Sequence, residues 1–225
     1  MTATFLPVRL VGNGGGYAYG PMGPSHHAIE DYGVLLTLQN MTVYVPAFAE
    51  DVRPAISIMS ADDKPSYLRL GRCEKPADFA PPTFAAWRCL IEGNGPLLIV
   101  IGPLVGTLID PIREMPIATR PSLWVLAEMP IGFHALPQQI IDRVCAGYTV
   151  AVLEEHVAQG SAGHALIVQM VKLGASPKRF LHFCAEGYPS GYYGSQIFHR
   201  KECGLDASTV LQKLGYECVE RAANE

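Results

Sequence analysis

The chain has no paired-cysteine pattern: Cys73, Cys89, Cys145, Cys184, Cys203 and Cys218 are widely scattered and form no C-x-x-C motif. With no secretory segment ahead of them, this excludes a disulfide framework or a structural zinc site and predicts a reduced, cytoplasmic setting. An excess of positive charge is also missing. The 17 basic and 21 acidic residues give a net charge of -4 and form no long blocks, so neither nucleic acid nor an anionic membrane is an expected partner. The longest apolar run, Leu97 to Ile109, is too short for a bilayer span and is broken by Gly102, Pro103 and Gly106; it reads as a buried strand entering a turn. Nucleotide fingerprints fail as well. Gly14-x-Gly16 is followed by Tyr19 where a third glycine would stand, and no G-K-[ST] occurs. Neither Gly23-Pro24-Ser25 nor Tyr188-Pro189-Ser190-Gly191 fits the hydrolase elbow G-x-S-x-G, and H-E-x-x-H is absent. The i,i+4 pairs His26/Glu30 and His27/Asp31 do not argue for a metal, because helix-start carboxylates already have a dipole reason to be there.

What remains is a 225-residue globular chain, 49% hydrophobic, long enough for one or two domains. A strand over Pro7 to Val11 runs into Gly12-Asn13-Gly14-Gly15-Gly16. Helix is predicted over His27 to Leu38 and Val52 to Met59, and strand over Thr42 to Val45 and Ser66 to Leu70. That βαβαβ order implies a parallel sheet. Residues 1–75 therefore form a first layer, and residues 76–96, rich in Pro and Gly, read as a linker with one helical turn around Phe84 to Cys89. Residues 97–225 read as a doubly wound α/β domain, with strands at Leu97 to Ile101, Ser122 to Leu126, Thr149 to Leu153 and Arg179 to Phe183. Its helices are expected at Leu136 to Cys145, Ser161 to Leu173 and Ala207 to Leu214. Three strands and two helices cannot cover both faces of a parallel sheet, so the first layer is expected to be completed by another surface, from a partner chain or a second copy. The alternative is a sub-layer packed on the second domain.

The candidate site lies where the first strand ends. With Ser25 as N-cap, His26 becomes the first helical residue, beside unpaired N–H groups that lower its pKa and leave a neutral imidazole able to donate to a substrate oxygen. The preceding glycines fit positive φ or close backbone approach beside a ligand, or a plain tight connection. Arg69 and Arg72 alternate off a strand end at the same rim and are either suited to clamp a phosphate or carboxylate or plain surface arginines. Glu154-Glu155-His156 ends a strand near the same crevice, with structural pairing the favoured role.

Three segments together resemble the transketolase family, in particular the split, two-gene kind. Gly23-Pro24-Ser25-His26-His27-Ala28-Ile29-Glu30-Asp31, Asn40-Met41-Thr42-Val43 with Val45-Pro46, and Tyr67-Leu68-Arg69-Leu70-Gly71-Arg72 are similar to the second half of its pyrimidine-binding domain. Val152-Leu153-Glu154-Glu155-His156 and the closing Tyr193-Gly194-Ser195 to Leu205-Asp206 region are similar to its C-terminal domain. The resemblance implies that His26 contacts substrate as the catalytic histidine and that Arg72 holds a sugar phosphate. Met22 and Ser25 then belong to the substrate rim, with Pro21-Met22 standing where many members carry Glu-Asp. It further implies thiamine diphosphate and Mg2+ held mainly by a partner chain, because family members begin this domain upstream with the activating glutamate and the stacking aromatic residue. The implied activity is transfer of a two-carbon ketol unit by a hetero-oligomer. A non-catalytic assembly subunit and a subunit of a 2-oxoacid decarboxylating complex are the alternatives.

Overall fold

The computed structural model describes residues 6–216. Two sheets are present. The first contains β1 (Arg9–Asn13), β2 (Thr42–Tyr44) and β3 (Ser66–Leu70), joined by α1 (Asp31–Leu35) and α2 (Val52–Ala61). β1 and β2 flank β3 in parallel, with Arg9 opposite Ser66, Asn13 opposite Leu70 and Thr42 opposite Ser66. The βαβαβ reading is therefore correct. On α2, Ala55 and Met59 are one turn apart and pack on Tyr44 of β2 and Leu68 of β3.

The second sheet has the order β4-β6-β5-β8-β9, formed by β4 (Trp87–Ile91), β5 (Leu97–Ile101), β6 (Ser122–Leu126), β8 (Thr149–Val157) and β9 (Arg179–Ala185). β5, β6, β8 and β9 are parallel, and α3 (Gly106–Arg113), α4 (Gln138–Cys145) and α5 (Ala162–Lys172) connect them. Every residue of β5 is buried, which its unbroken Leu-Leu-Ile-Val-Ile run requires of a strand covered on both faces. Each such side chain contributes about 1.5–3 kcal/mol on burial. Helices α6 (Gln196–Glu202) and α7 (Ala207–Lys213) close the fold, each capped by a side chain, Ser195 accepting from the Phe198 N–H and Asp206 from the Thr209 N–H.

Two expectations need correction. Residues 87–91 are not a helical turn in a linker but β4, an antiparallel edge strand on β6, in which Cys89 lies opposite Trp124. The first sheet also has a fourth strand, β7 (Glu128–Met129), supplied from beyond β6, antiparallel to β2 with Val43 opposite Met129. Within this chain, the first sheet packs as a sub-layer on the second. One apolar cluster joins Leu98, Val100, Leu123 and Leu153 to Tyr17, Ile29 and Phe48, and a second joins Leu97, Ile99, Trp124 and Val152 to Tyr32, Val43, Val45 and Tyr67. The outer edge of β1 pairs with no strand among the described residues and leaves Leu10 and Val11 exposed.

Candidate functional site

The chain leaves β1 through a backbone that no side chain can follow. Gly14 and Gly16 have φ of +82° and +71°, and a Cβ on Gly16 would lie 2.7 Å from Cβ of Glu155 in β8. The glycines therefore serve close approach to Tyr19, Arg69 and Glu155 of this chain. Gly16 and Ala28 exchange both backbone hydrogen bonds, at 2.9 and 3.0 Å, so residues 17–27 form an excursion pinched at its base. Gly16→Ala combines left-handed strain with overlap on a buried side chain, and is expected to lower unfolding free energy by about 2 kcal/mol in a urea titration. A loss below about 0.5 kcal/mol would show that the loop base yields freely.

Along this excursion Gly20–Ser25 forms a short 3₁₀ segment interrupted at Gly23, whose φ is +70°. Here the structure corrects the helix-start reading. Ser25 ends this turn, His26 caps its carboxyl end, and α1 begins only at Asp31. His26 therefore stands at the carboxyl end of a turn and not in the first turn of α1. Its exposed imidazole is 2.9 Å from the Ser25 hydroxyl through Nδ1 and edge-on to Tyr19 at 5.8 Å. Tyr19 in turn accepts a 3.3 Å hydrogen bond from Asn13 at the end of β1. Met22 and Ser25 are exposed on the same turn. Arg72 follows β3, whose Leu70 is the register partner of Asn13, so it leaves the same end of the sheet. Its side chain is 75% exposed and its Nε is 3.9 Å from Glu74, an ion pair loose enough to be exchanged for a ligand.

Arg69 is not part of this rim. It is buried, pairs with Asp31 at 2.9 Å, and donates to the carbonyls of Ala28 and Glu155. The carboxylates read near the crevice are likewise structural. Glu155 is bound by Arg200 and Gln196. Glu154 accepts from the Tyr32 hydroxyl, His182 Nε2–H and the N–H groups of Ala162 and Gly163 at the start of α5. His156 stacks on Tyr32 at 3.8 Å. Its Nε2 accepts from the Gly33 N–H and its Nδ1–H donates to the Val157 carbonyl; burial holds its pKa below the usual histidine range and keeps it neutral.

A feature that sequence reasoning missed lies behind the rim. His27 Nε2–H donates to the Gly20 carbonyl at 2.8 Å and its Nδ1 accepts from the Tyr188 hydroxyl at 2.9 Å. Its ring stacks on Tyr188 and meets Tyr17 and His199 edge-on. Burial lowers the pKa of both His27 and His199. Some 160 to 170 residues separate the two sides of this seam, so no local pattern announces it.

Among the described residues no three His, Cys, Asp or Glu side chains gather as metal ligands, and no helix is long and apolar enough to cross a membrane. The buried Glu154 and Glu155 carboxylates are saturated by donors of this chain. Among the described residues, neither of these carboxylates is free to ligate magnesium or to pair with the aminopyrimidine of thiamine diphosphate.

Residues 1–76 match the family model for the transketolase pyrimidine-binding domain. Over 223 residues the chain is 27% identical to one of the subunits of apulose-4-phosphate transketolase from Phocaeicola vulgatus, covering 95% of this chain and 68% of that protein. The corresponding apulose-4-phosphate transketolase polypeptide of Actinobacillus succinogenes is 26% identical over 220 residues, covering 91% and 66%. The chain thus spans about two thirds of the length of these relatives. Among solved structures, one described as a split gene transketolase, inactive beta4 tetramer, superposes with a TM-score of 0.69 at 23% identity, over 92% of this chain and 64% of that one. With the parallel-dominated sheets and the His26 turn in place, residues 1–76 are similar to the transketolase pyrimidine-binding domain, and the chain as a whole is similar to subunits of apulose-4-phosphate transketolase and shares the fold of a split-gene transketolase.

Proposed function

We propose that this chain is the substrate-rim subunit of a split transketolase-type enzyme, transferring a two-carbon ketol unit from a ketose phosphate or similar donor to an aldehyde acceptor in the cytoplasm. A complementary chain holds thiamine diphosphate and Mg2+. The observation that carries this reading is the contrast within the site: the buried Glu154 and Glu155 carboxylates are occupied structurally, whereas His26, Met22, Ser25 and Arg72 stand exposed at one sheet end. When bound, thiamine diphosphate supplies the carbanion chemistry. His26 donates to the oxygen on which charge develops as the carbon–carbon bond breaks, with Ser25 fixing its ring. Arg72 anchors an anionic tail bidentately and so orients the substrate. Met22 offers a thioether where a carboxylate would read a sugar hydroxyl, which favours a less hydroxylated substrate.

The test is co-expression with the products of neighbouring genes. A complex that binds thiamine diphosphate is expected, in which His26→Ala lowers kcat about 100-fold while cofactor affinity stays within about twofold. Equal losses of turnover and cofactor affinity would remove the role given to His26. If no neighbouring product restores cofactor binding, the chain is a non-catalytic assembly subunit.

A further inference from the structure

The loop that presents His26 is held from behind by two imidazoles. Tyr17 stacks on His199 at 4.9 Å and donates to the Gly187 carbonyl at 2.8 Å. His199 is fully buried, and its Nε2 accepts from the Gly194 N–H at 3.2 Å. Its Nδ1 is buried without a well-aligned hydrogen-bond partner, although the Gly20 carbonyl favours the proton there electrostatically. That same carbonyl accepts from His27. A Cβ on Gly20 would lie 3.2 to 3.3 Å from the backbone of residues 194–196, and one on Gly23 would lie 3.4 Å from the Tyr193 ring. The 3₁₀ segment thus rests directly on the loop leading into α6. We propose that His27 and His199 are positioning residues, a latch of neutral imidazoles that fixes the Gly20–Ser25 turn, and with it His26, onto residues 187–199 and that opens in acid.

The chemistry of opening follows from the donors already in place. A proton on His199 Nε2 would set two N–H donors against each other across the Gly194 contact. A proton on His27 Nδ1 would make it a donor, so the Tyr188 hydroxyl that now donates to it would have to rotate its hydrogen out of the contact and accept instead. Other groups face the pair from every side. Burial is the largest influence on each ring and disfavours charge; the neighbouring His26 and the second ring act on His27 in the same direction. Glu155 of β8, already bound by Arg200, and Glu202 at the end of α6 oppose this. Tyr17, Tyr188 and Cys203 complete the surroundings, and burial raises the pKa of both Tyr17 and Tyr188, keeping their hydroxyls protonated.

The latch rests on the proposed role of His26 only for its consequence, so it is tested on the full chain alone, without turnover. Hydrogen exchange of amides 19–27, corrected for the intrinsic pH effect, is expected to accelerate about tenfold or more as the pH falls from 7.5 to well below the ordinary histidine pKa of about 6.5, while β5 stays protected. Imidazole titration by NMR should show His27 and His199 protonating below the ordinary histidine pKa of about 6.5, over the acid part of that same descent. His199→Gln, whose side-chain oxygen still accepts from the Gly194 N–H but does not titrate, should cut the acid acceleration at least threefold. Tyr188→Phe should raise loop exchange at both ends of that descent. Loop protection independent of pH in the wild-type chain, or an unchanged acid response in a folded His199→Gln, overturns the latch. A latch that behaves as stated in a chain whose complexes show no transferase activity would sink only the proposed function.

Discussion

Replacing Asp51 by alanine is expected to remove about 3–5 kcal/mol of unfolding free energy, because it strands a buried guanidinium. Asp51 sits at the start of α2 and Arg88 in β4, so this pair ties the first sheet's elements to the second sheet. Both oxygens of Asp51 accept from Arg88, at 2.8 and 2.6 Å, and Oδ2 also accepts from the N–H groups of Ala47 and Phe48. The two side chains are 3% and 2% exposed, which leaves water no access to repair the loss. Arg88 further donates to the Pro82 carbonyl and lies between the Phe48 and Phe84 rings, 5.6 and 5.5 Å from their centroids. Desolvation makes the net worth of the intact pair far smaller than the penalty for halving it. The double variant Asp51→Leu/Arg88→Met is accordingly expected to recover more than half of the loss, measured by urea unfolding of each variant. Single substitutions that each cost less than about 1 kcal/mol would show that Arg88 finds another anion or reaches solvent.

How much of this was legible depended on whether the deciding contacts were local. β5, with residues 123–126 of β6 and 150–153 of β8, announces itself as an unbroken apolar run, since a strand covered on both faces has no polar alternation to hide it. β4 was hidden because Pro81, Pro82, Gly93 and Gly95 surround it, and because its charged Arg88 is buried against Asp51, 37 residues away. Ser25-His26 imitated a helix start, but the exchange between Gly16 and Ala28 keeps residues 26–30 out of helical register and delays α1 to Asp31. Arg69 and Arg72 look alike in sequence. The strand's alternation turns Arg69 toward Asp31 and the β8 backbone, whereas Arg72 lies past the end of the ladder. Of the rim residues, His26 came from a motif, while its support by His27, Tyr188 and His199 depends on tertiary closure alone.

The second large effect is expected at Glu154, a carboxylate that gathers α1, α5 and β9 around the end of β8. Its Oε1 accepts from His182 at 2.7 Å and from the Gly163 N–H at 2.8 Å; Oε2 accepts from the Ala162 N–H at 3.0 Å and from the Tyr32 hydroxyl. Every direction of approach is filled by a donor. Glu154→Gln therefore turns an N–H2 against two of them, and the expected loss is about 3–5 kcal/mol at pH 7. Tyr32→Phe, which removes one neutral donor, should cost about 1 kcal/mol. Burial pushes the Glu154 carboxyl up, but His182, Tyr32 and the helix-start N–H groups together outweigh it, so its pKa lies below the usual carboxylate range. The sign follows from linkage. A carboxylate depressed on folding stabilises the chain above its unfolded pKa of about 4.3 and loses that contribution as pH falls through the lower folded value. Wild-type stability should consequently decline below about pH 4.3 with a component that Glu154→Gln, already uncharged, does not share. Urea midpoints at pH 7, 5, 4 and 3.5 measure both. If the variant is destabilised at pH 7 yet declines with the full wild-type slope, the acid sensitivity belongs to other carboxylates, and Glu154 is a steric post between three elements instead of a charge that holds them.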